Sequence, residues 1–171
     1  YTTMLQQLGI EVLCGNYYKE HIFEWIENHK DVIDFAFLNR PHISIKYIDF
    51  LREHTEIKII YYGHDLHFLR FRREYELTGD VSKLNESEKW YETELYLMRN
   101  ADISYYPSII EKEEINKIDA TINIKAITAY AYDKFRDDLT YDFEKKSGML
   151  FVGGFVHKPN QDAIMWFVEK I

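Results

Sequence analysis

The sequence predicts an α/β protein, a mainly parallel β-sheet with helices on both faces, because short β-type runs alternate with helical ones along the chain. Two further observations agree. The run Glu56-Ile57-Lys58-Ile59-Ile60-Tyr61-Tyr62 is apolar through its centre, as a strand covered on both sides would be. The β-type runs also end in helix-start corners, namely Asn39-Arg40-Pro41, Gly63-His64-Asp65 and Pro107-Ser108.

Taken in order, residues 1–8 read as an amphipathic segment already under way. Gly9-Ile10-Glu11-Val12-Leu13-Cys14-Gly15 reads as a strand bounded by glycines. Residues 22–29 set Ile22, Phe23 and Ile26 on one helical face, and residues 32–38 form the next strand. Pro41 suits the first turn of a helix, since its missing N–H would be unpaired there anyway. That helix carries Ile45, Ile48 and Leu51 inward. Residues 56–62 make the central strand. A helix follows from Asp65, whose carboxylate can cap free N–H groups, with Arg70–Glu74 and Arg72–Glu76 at ion-pair spacing. Thr78-Gly79-Asp80 ends it.

A longer helix over residues 83–99 has Leu84, Tyr91, Leu95 and Met98 in one apolar stripe. Residues 101–106 are a short strand. Ser108 caps a glutamate-rich helix over residues 109–118, with Glu111 placed to close a capping box. Residues 121–129 alternate as a strand. The segment 131–147 holds nine charged residues and little apolar periodicity, which marks a linker. Beyond it, residues 148–152 read as a buried strand, and Asn160 caps a helix with Ile164, Phe167, Val168 and Ile171 on one face. The organisation expected is a domain over 1–130, a linker over 131–147 and the first β–α unit of a second domain over 148–171.

With 46% hydrophobic and 16% aromatic residues among 171, the chain has ample material for a core. A formal net charge of −8 disfavours a sequence-independent grip on nucleic acid phosphates. The single Cys14 cannot form an internal disulfide and reads as a small buried residue in a reducing compartment, which points to the cytoplasm. No apolar run reaches the roughly 18 residues that a bilayer-spanning helix needs. Both ends read as cut from something longer.

Two corners carry the candidate chemistry. In Tyr62-Gly63-His64-Asp65-Leu66-His67-Phe68-Leu69-Arg70 the histidines are three apart at a helix start, where free N–H groups add partial positive charge. Such a corner suits a polyhydroxylated or anionic ligand: His64 bonds a sugar hydroxyl, Asp65 orients it and Arg70 holds a negative group. The plainer alternative makes Asp65 a cap and the histidines surface residues. Zinc is a third and weakest reading, as no fourth ligand is placed by spacing. In the second corner, Gly153 and Gly154 let backbone N–H groups approach a phosphate, and His157, Lys158 and a helix N-terminus add positive character. A simple turn also explains those glycines. The glutamates from Glu111 to Glu114 read as a solvated helix face.

These residues, with Ala101-Asp102, Ser108 and Glu111, then Leu150-Phe151-Val152-Gly153-Gly154-Phe155, His157, Pro159-Asn160 and Asp162-Ala163, resemble the successive landmarks of group 1, family 4-like, glycosyltransferases of the GT-B fold. The resemblance covers about residues 50–171. It implies a Rossmann-like N-terminal domain on the acceptor side and the start of a second, donor-binding Rossmann-like domain. It also implies catalytic roles for His64 and Asp65, acceptor or sugar contacts from His67 and Arg70, and donor phosphate binding by Gly153, Gly154 and His157. Similar enzymes usually need no metal, so neither a metal nor another cofactor is expected.

The function expected is transfer of a sugar from a nucleotide-sugar donor to a glycan or glycoconjugate acceptor, in surface polysaccharide or glycoconjugate assembly. Expected partners are those two molecules, with peripheral membrane association in the full-length protein and no nucleic acid. The segments that complete such an enzyme are missing, so this chain alone should be inactive. The rival expectation is a non-catalytic Rossmann-like binding or regulatory module of a larger protein.

Overall fold

The structure is a computed structural model that describes residues 1–128, 130, 132, 134 and 143–171. The chain divides into two compact units, Tyr1–Ala131 and Tyr132–Ile171. The linker expected over 131–147 lies largely outside the described residues.

In the first unit, β1 (Phe35–Asn39), β2 (Lys58–Tyr62), β3 (Ile103–Tyr106) and β4 (Ile124–Ala126) form one parallel sheet in the order β1-β2-β3-β4. The protein is therefore α/β, and β2 is interior as its apolar run predicts. Every crossover steps the same way, and the right-handed rule then sends the connecting helices to a single face. Burial follows that logic. Ile59, Tyr61, Ser104, Tyr106 and Ile124 are buried, whereas their neighbours Ile60, Tyr62, Ile103 and Tyr105 are half-buried. Phe35 and Phe37 of β1 stay exposed, with the Phe37 ring stacked on Tyr62. The expectation of helices on both faces is thus corrected: within this unit the described helices cover one. Among the described strands the order has no reversal, and so they form no switch-point crevice of the kind that a reversal opens.

Helix α2 (Asn16–His29) bends at His21, so its second part begins at Ile22 as expected. The single helix expected after Pro41 is two, α3 (Pro41–Ser44) and α4 (Ile48–His54). The break has a local cause. Ser44 Oγ donates to the Arg40 carbonyl at 2.7 Å, and the next amides, of Lys46 and Tyr47, turn back to residues 43 and 44. Ile48 and Leu51 still reach the core.

Helix α5 (His67–Thr78) ends on Gly79, left-handed at φ 71° as a C-terminal stop requires. Asp80 caps α6 (Val81–Asn100) and Ser108 caps α7 (Ile109–Ile118), each through an N–H two residues on. Arg72–Glu76 forms as spaced, at 3.6 Å. Arg70 pairs with Asp65 instead of Glu74, and Glu74 takes Lys83 at 2.9 Å.

The strand expected at residues 9–15 is absent. Helix α1 (Thr2–Gln7) closes with Gly9 N–H on Gln6 O and Ile10 N–H on Leu5 O. With Gly9 at φ 79°, this is a Schellman stop. Gly15, at φ 93°, sits at the start of α2. Both glycines therefore punctuate helices, and Cys14 between them is exposed, not buried.

The second unit holds α8 (Lys158–Lys170), which starts after His157 with Pro159 in its first turn. Asn160 is not the cap; its amide donates to Gly154 O at 3.0 Å. Residues 148–152 form no strand, and Met149, Leu150 and Val152 are exposed. A strand must find a partner for its N–H and C=O groups, and the described residues of this unit provide none. The stripe of Phe167, Val168 and Ile171 is likewise uncovered within it.

Candidate functional site

The site is built where β1, β2 and β3 deliver the chain to their C-terminal edge. Two non-glycine residues there are held left-handed, Arg40 at φ 68° and His64 at φ 70°. Each such residue costs about 1–2 kcal/mol, and such strain gathers at functional sites. Both are fixed by neighbours. Arg40 N–H donates to Tyr62 O at 3.1 Å, and its carbonyl accepts from Ser44 N. His64 Nε2 meets Asn39 Oδ1 at 2.5 Å, and its ring stands edge-on to Tyr62 at 4.6 Å. With the Asn39 oxygen accepting, the neutral His64 ring carries its hydrogen on Nε2 and presents Nδ1 unprotonated. Burial, then the Arg40 guanidinium, holds the imidazole below its usual range, while Asp65 opposes them.

Gly63 allows this corner to close. A Cβ there would run into the Tyr106 ring, which is fully buried beneath it. Gly63 N–H completes the ladder to Tyr105 O at 3.2 Å.

Helix α5 begins at His67, two residues later than expected, and Asp65 does not cap it. The caps come from distant helices. Leu66 N–H donates to Glu111 Oε1 at 3.0 Å, His67 N–H to Glu94 Oε1 at 2.9 Å and Phe68 N–H to Glu94 Oε2 at 3.1 Å. His67 Nδ1 lies 3.0 Å from the same Glu94 oxygen and 3.1 Å from the Asp65 carbonyl. The hydrogen bond to Glu94 holds the His67 imidazole above its usual range against burial, with Asp65 helping and Arg70 opposing. Burial pushes the Glu111 carboxyl up, the Leu66 and Ser108 N–H groups pull it down, and Asp65 and Glu94 push it further up.

Beneath these acids lie Tyr61 and Tyr106. Burial, with the charge of Glu94, drives the Tyr61 phenol far above its usual range; burial, with Tyr61 and Glu94, does the same to Tyr106. Neither hydroxyl forms an aligned hydrogen bond with a described residue.

His64, Asp65, His67 and Arg70 therefore share one corner, but not in the roles expected of all four. Asp65 and Arg70 neutralise each other at 2.8 Å on the exposed rim, leaving Arg70 less able to hold a free anion. Asn39, Arg40 and Glu94 were not singled out by sequence; Glu111, expected to close a capping box at Ser108 on a solvated helix face, takes the Ser108 N–H and also reaches Leu66. One signal was legible: Glu94 lies among Tyr91, Leu95 and Met98 on the apolar side of α6.

Gly153, Gly154 and His157 belong to the second unit. A Cβ on Gly153 would come within 2.8 Å of Asn160 Nδ2 and of the Phe151 ring, side-chain ends that would have to shift; Gly154 has open space. Gly154 O accepts from His157 N–H and the Asn160 amide, and the Gly153 and Gly154 N–H groups meet no acceptor among the described residues.

Two hollows in the first unit are lined by none of His64, Asp65, His67 and Arg70. One of about 730 Å³ lies beside Asp34, Arg52 and Lys58 at the N-terminal ends of β1 and β2, and one of about 1130 Å³ beside Arg72, Glu88 and Glu114. Both are open and of mixed charge, whereas ligands of parallel sheets sit outside the C-terminal strand ends. Among the described residues no three His, Cys, Asp or Glu side chains gather as metal ligands, and no helix is long and apolar enough to cross a membrane. Comparison with known proteins found no matching family model, curated protein or solved structure.

Proposed function

We propose that the chain is part of a glycosyltransferase that moves a sugar from a nucleotide-sugar to a glycan or glycoconjugate acceptor. The observation that carries this reading is His64, a non-glycine residue in left-handed backbone at the C-terminal edge of a parallel sheet, tied to Asn39 with one ring nitrogen left unprotonated. A neutral imidazole so fixed is suited to a sugar hydroxyl, and the N–H groups of Gly153 and Gly154, without an acceptor among the described residues, are suited to donor phosphates. Departure of a nucleoside diphosphate develops negative charge, which fixed N–H dipoles stabilise.

Asp65 acts by steering Arg70 and by its charge beside His67. The donor and acceptor remain the proposed partners, and a cytoplasmic setting with peripheral membrane contact fits them. The test is a panel of nucleotide-sugars given to the full-length parent, with His64→Ala reducing turnover at least about tenfold, the low end for a positioned polar group. Undiminished transfer by that variant would remove His64 from the mechanism. The rival reading, a non-catalytic binding module, is favoured by the unreversed strand order, and a parent that binds nucleotide-sugars without consuming them would support it.

A further inference from the structure

Glu94 does more than helix capping requires. It is fully buried in the second half of α6, and an unpaired charge in such a place costs several kcal/mol. A Ser, Thr, Asp or Asn in place of Leu66 would cap α5 from the local chain without burying a charge. The corner instead reaches 27 residues along the sequence for a carboxylate that also takes the His67 ring.

Both groups facing His67 Nδ1, the Glu94 oxygen and the Asp65 carbonyl, are acceptors, so Nδ1 keeps its hydrogen whether or not the ring is charged. Trp90, one turn before Glu94, lies against the ring with centroids 4.8 Å apart. Nε2 has no partner among the described residues, and the side chain keeps 15% exposure. His67 is the one group able to carry positive charge within ion-pair distance of Glu94 among the described residues.

We propose that Glu94 is a positioning residue for His67, fixing the imidazole through Nδ1 so that Nε2 contacts a hydroxyl of the molecule bound at the corner. On the sugar-transferase reading, on which this rests, that hydroxyl belongs to the acceptor. An anion would meet Asp65, Glu94 and Glu111 here, which is why a neutral hydroxylated partner fits better than a phosphate. With the ring charged, Nε2–H donates to the hydroxyl oxygen; with the ring neutral, Nε2 accepts the hydroxyl hydrogen. The charged and titratable groups facing the ring are Glu94 from α6, Asp65 and His64 from the β2–α5 loop and Arg70 from α5.

Nitrogen-15 NMR of the intact chain tests the fixed ring. The neutral form of His67 should carry its proton on Nδ1, and Glu94→Gln should lower its titration midpoint by about one to three pH units. A neutral ring protonated at Nε2, or a midpoint that Glu94→Gln leaves in place, overturns the proposal. The tautomer is read on the unmutated chain, so a variant that fails to fold does not block the test. In the full-length parent, Glu94→Gln should raise the acceptor KM about tenfold, the effect of losing one charge-assisted hydrogen bond. It should also move the pH dependence of that KM downward while sparing the donor KM. An acceptor KM with unaltered pH dependence sinks the ligand contact and leaves sugar transfer standing; a parent that transfers no sugar removes the reading beneath it.

Discussion

At the N-terminal end of the strands, Asp102 joins β2 to β3 by accepting from Ile59 N–H at 2.7 Å and Arg52 at 2.9 Å, with Lys58 at 3.7 Å. At the C-terminal end of the same strands, two residues are left-handed, a glutamate is wholly buried against a histidine, and two phenols lack aligned partners among the described residues. One end matches an acid to nearby cations and a ladder N–H on the surface. The other holds backbone and charge in costly states that only a surrounding structure can sustain. That asymmetry directs attention to the corner of His64 and His67.

Breaking the costly end should have the largest effect. Glu94→Ala leaves the His67 and Phe68 amides without their acceptor and the His67 ring with the Asp65 carbonyl in place of a carboxylate, and it should destabilise the first unit by about 3–5 kcal/mol in urea unfolding. A loss below about 1 kcal/mol would show that Glu94 is not held as described. Gly63→Ala drives a methyl group into the Tyr106 ring and should cost about 3 kcal/mol by the same measurement. Wild-type stability in that variant would mean the ring is free to move.

The two ends should also titrate in opposite directions. His67 is held above its ordinary value of about 6.5, so its pairing stabilises fully below that value and fades as pH rises through the folded one. Glu111, also raised, loses stability in the same direction. Asp102 behaves oppositely. Burial pushes it up, but the Ile59 N–H and Arg52 outweigh burial, so its contribution is present above the ordinary carboxylate range and fades as pH falls through its lowered value. Unfolding midpoints measured from pH 3 to 9 should therefore fall on both flanks, with His67→Gln flattening the alkaline flank and Asp102→Asn the acid one. A single-sided profile would break the contrast.

The smallest effect should come from relieving strain. His64→Gly removes the left-handed penalty at φ 70° and should raise stability by about 0.5–1 kcal/mol while abolishing the proposed sugar contact. A clear loss of stability would show that the bond to Asn39 outweighs the strain.

Much of the local order was legible in the residues. Pro41, Gly79, Asp80 and Ser108 punctuate helices where their chemistry predicts, because each acts through its own backbone or the next turn. The glycines at 9 and 15 misled for the same reason in reverse, since a left-handed stop for a helix and a boundary for a strand share one residue type. Asp65 and Asn160 have the right chemistry for caps, but each found a different partner, Arg70 in one case and Gly154 O in the other.

Alternation of β-type and helical runs, together with the apolar centre of β2, determined by themselves that this is an α/β protein with that strand inside its sheet, because periodicity and burial are properties of short segments. Only the tertiary structure decided that the helices of the first unit share one face, since this follows from the order in which the strands pair. It alone decided that Glu94 and Glu111 close over the start of α5, since a hydrogen bond across 27 or 45 positions leaves no trace in local spacing.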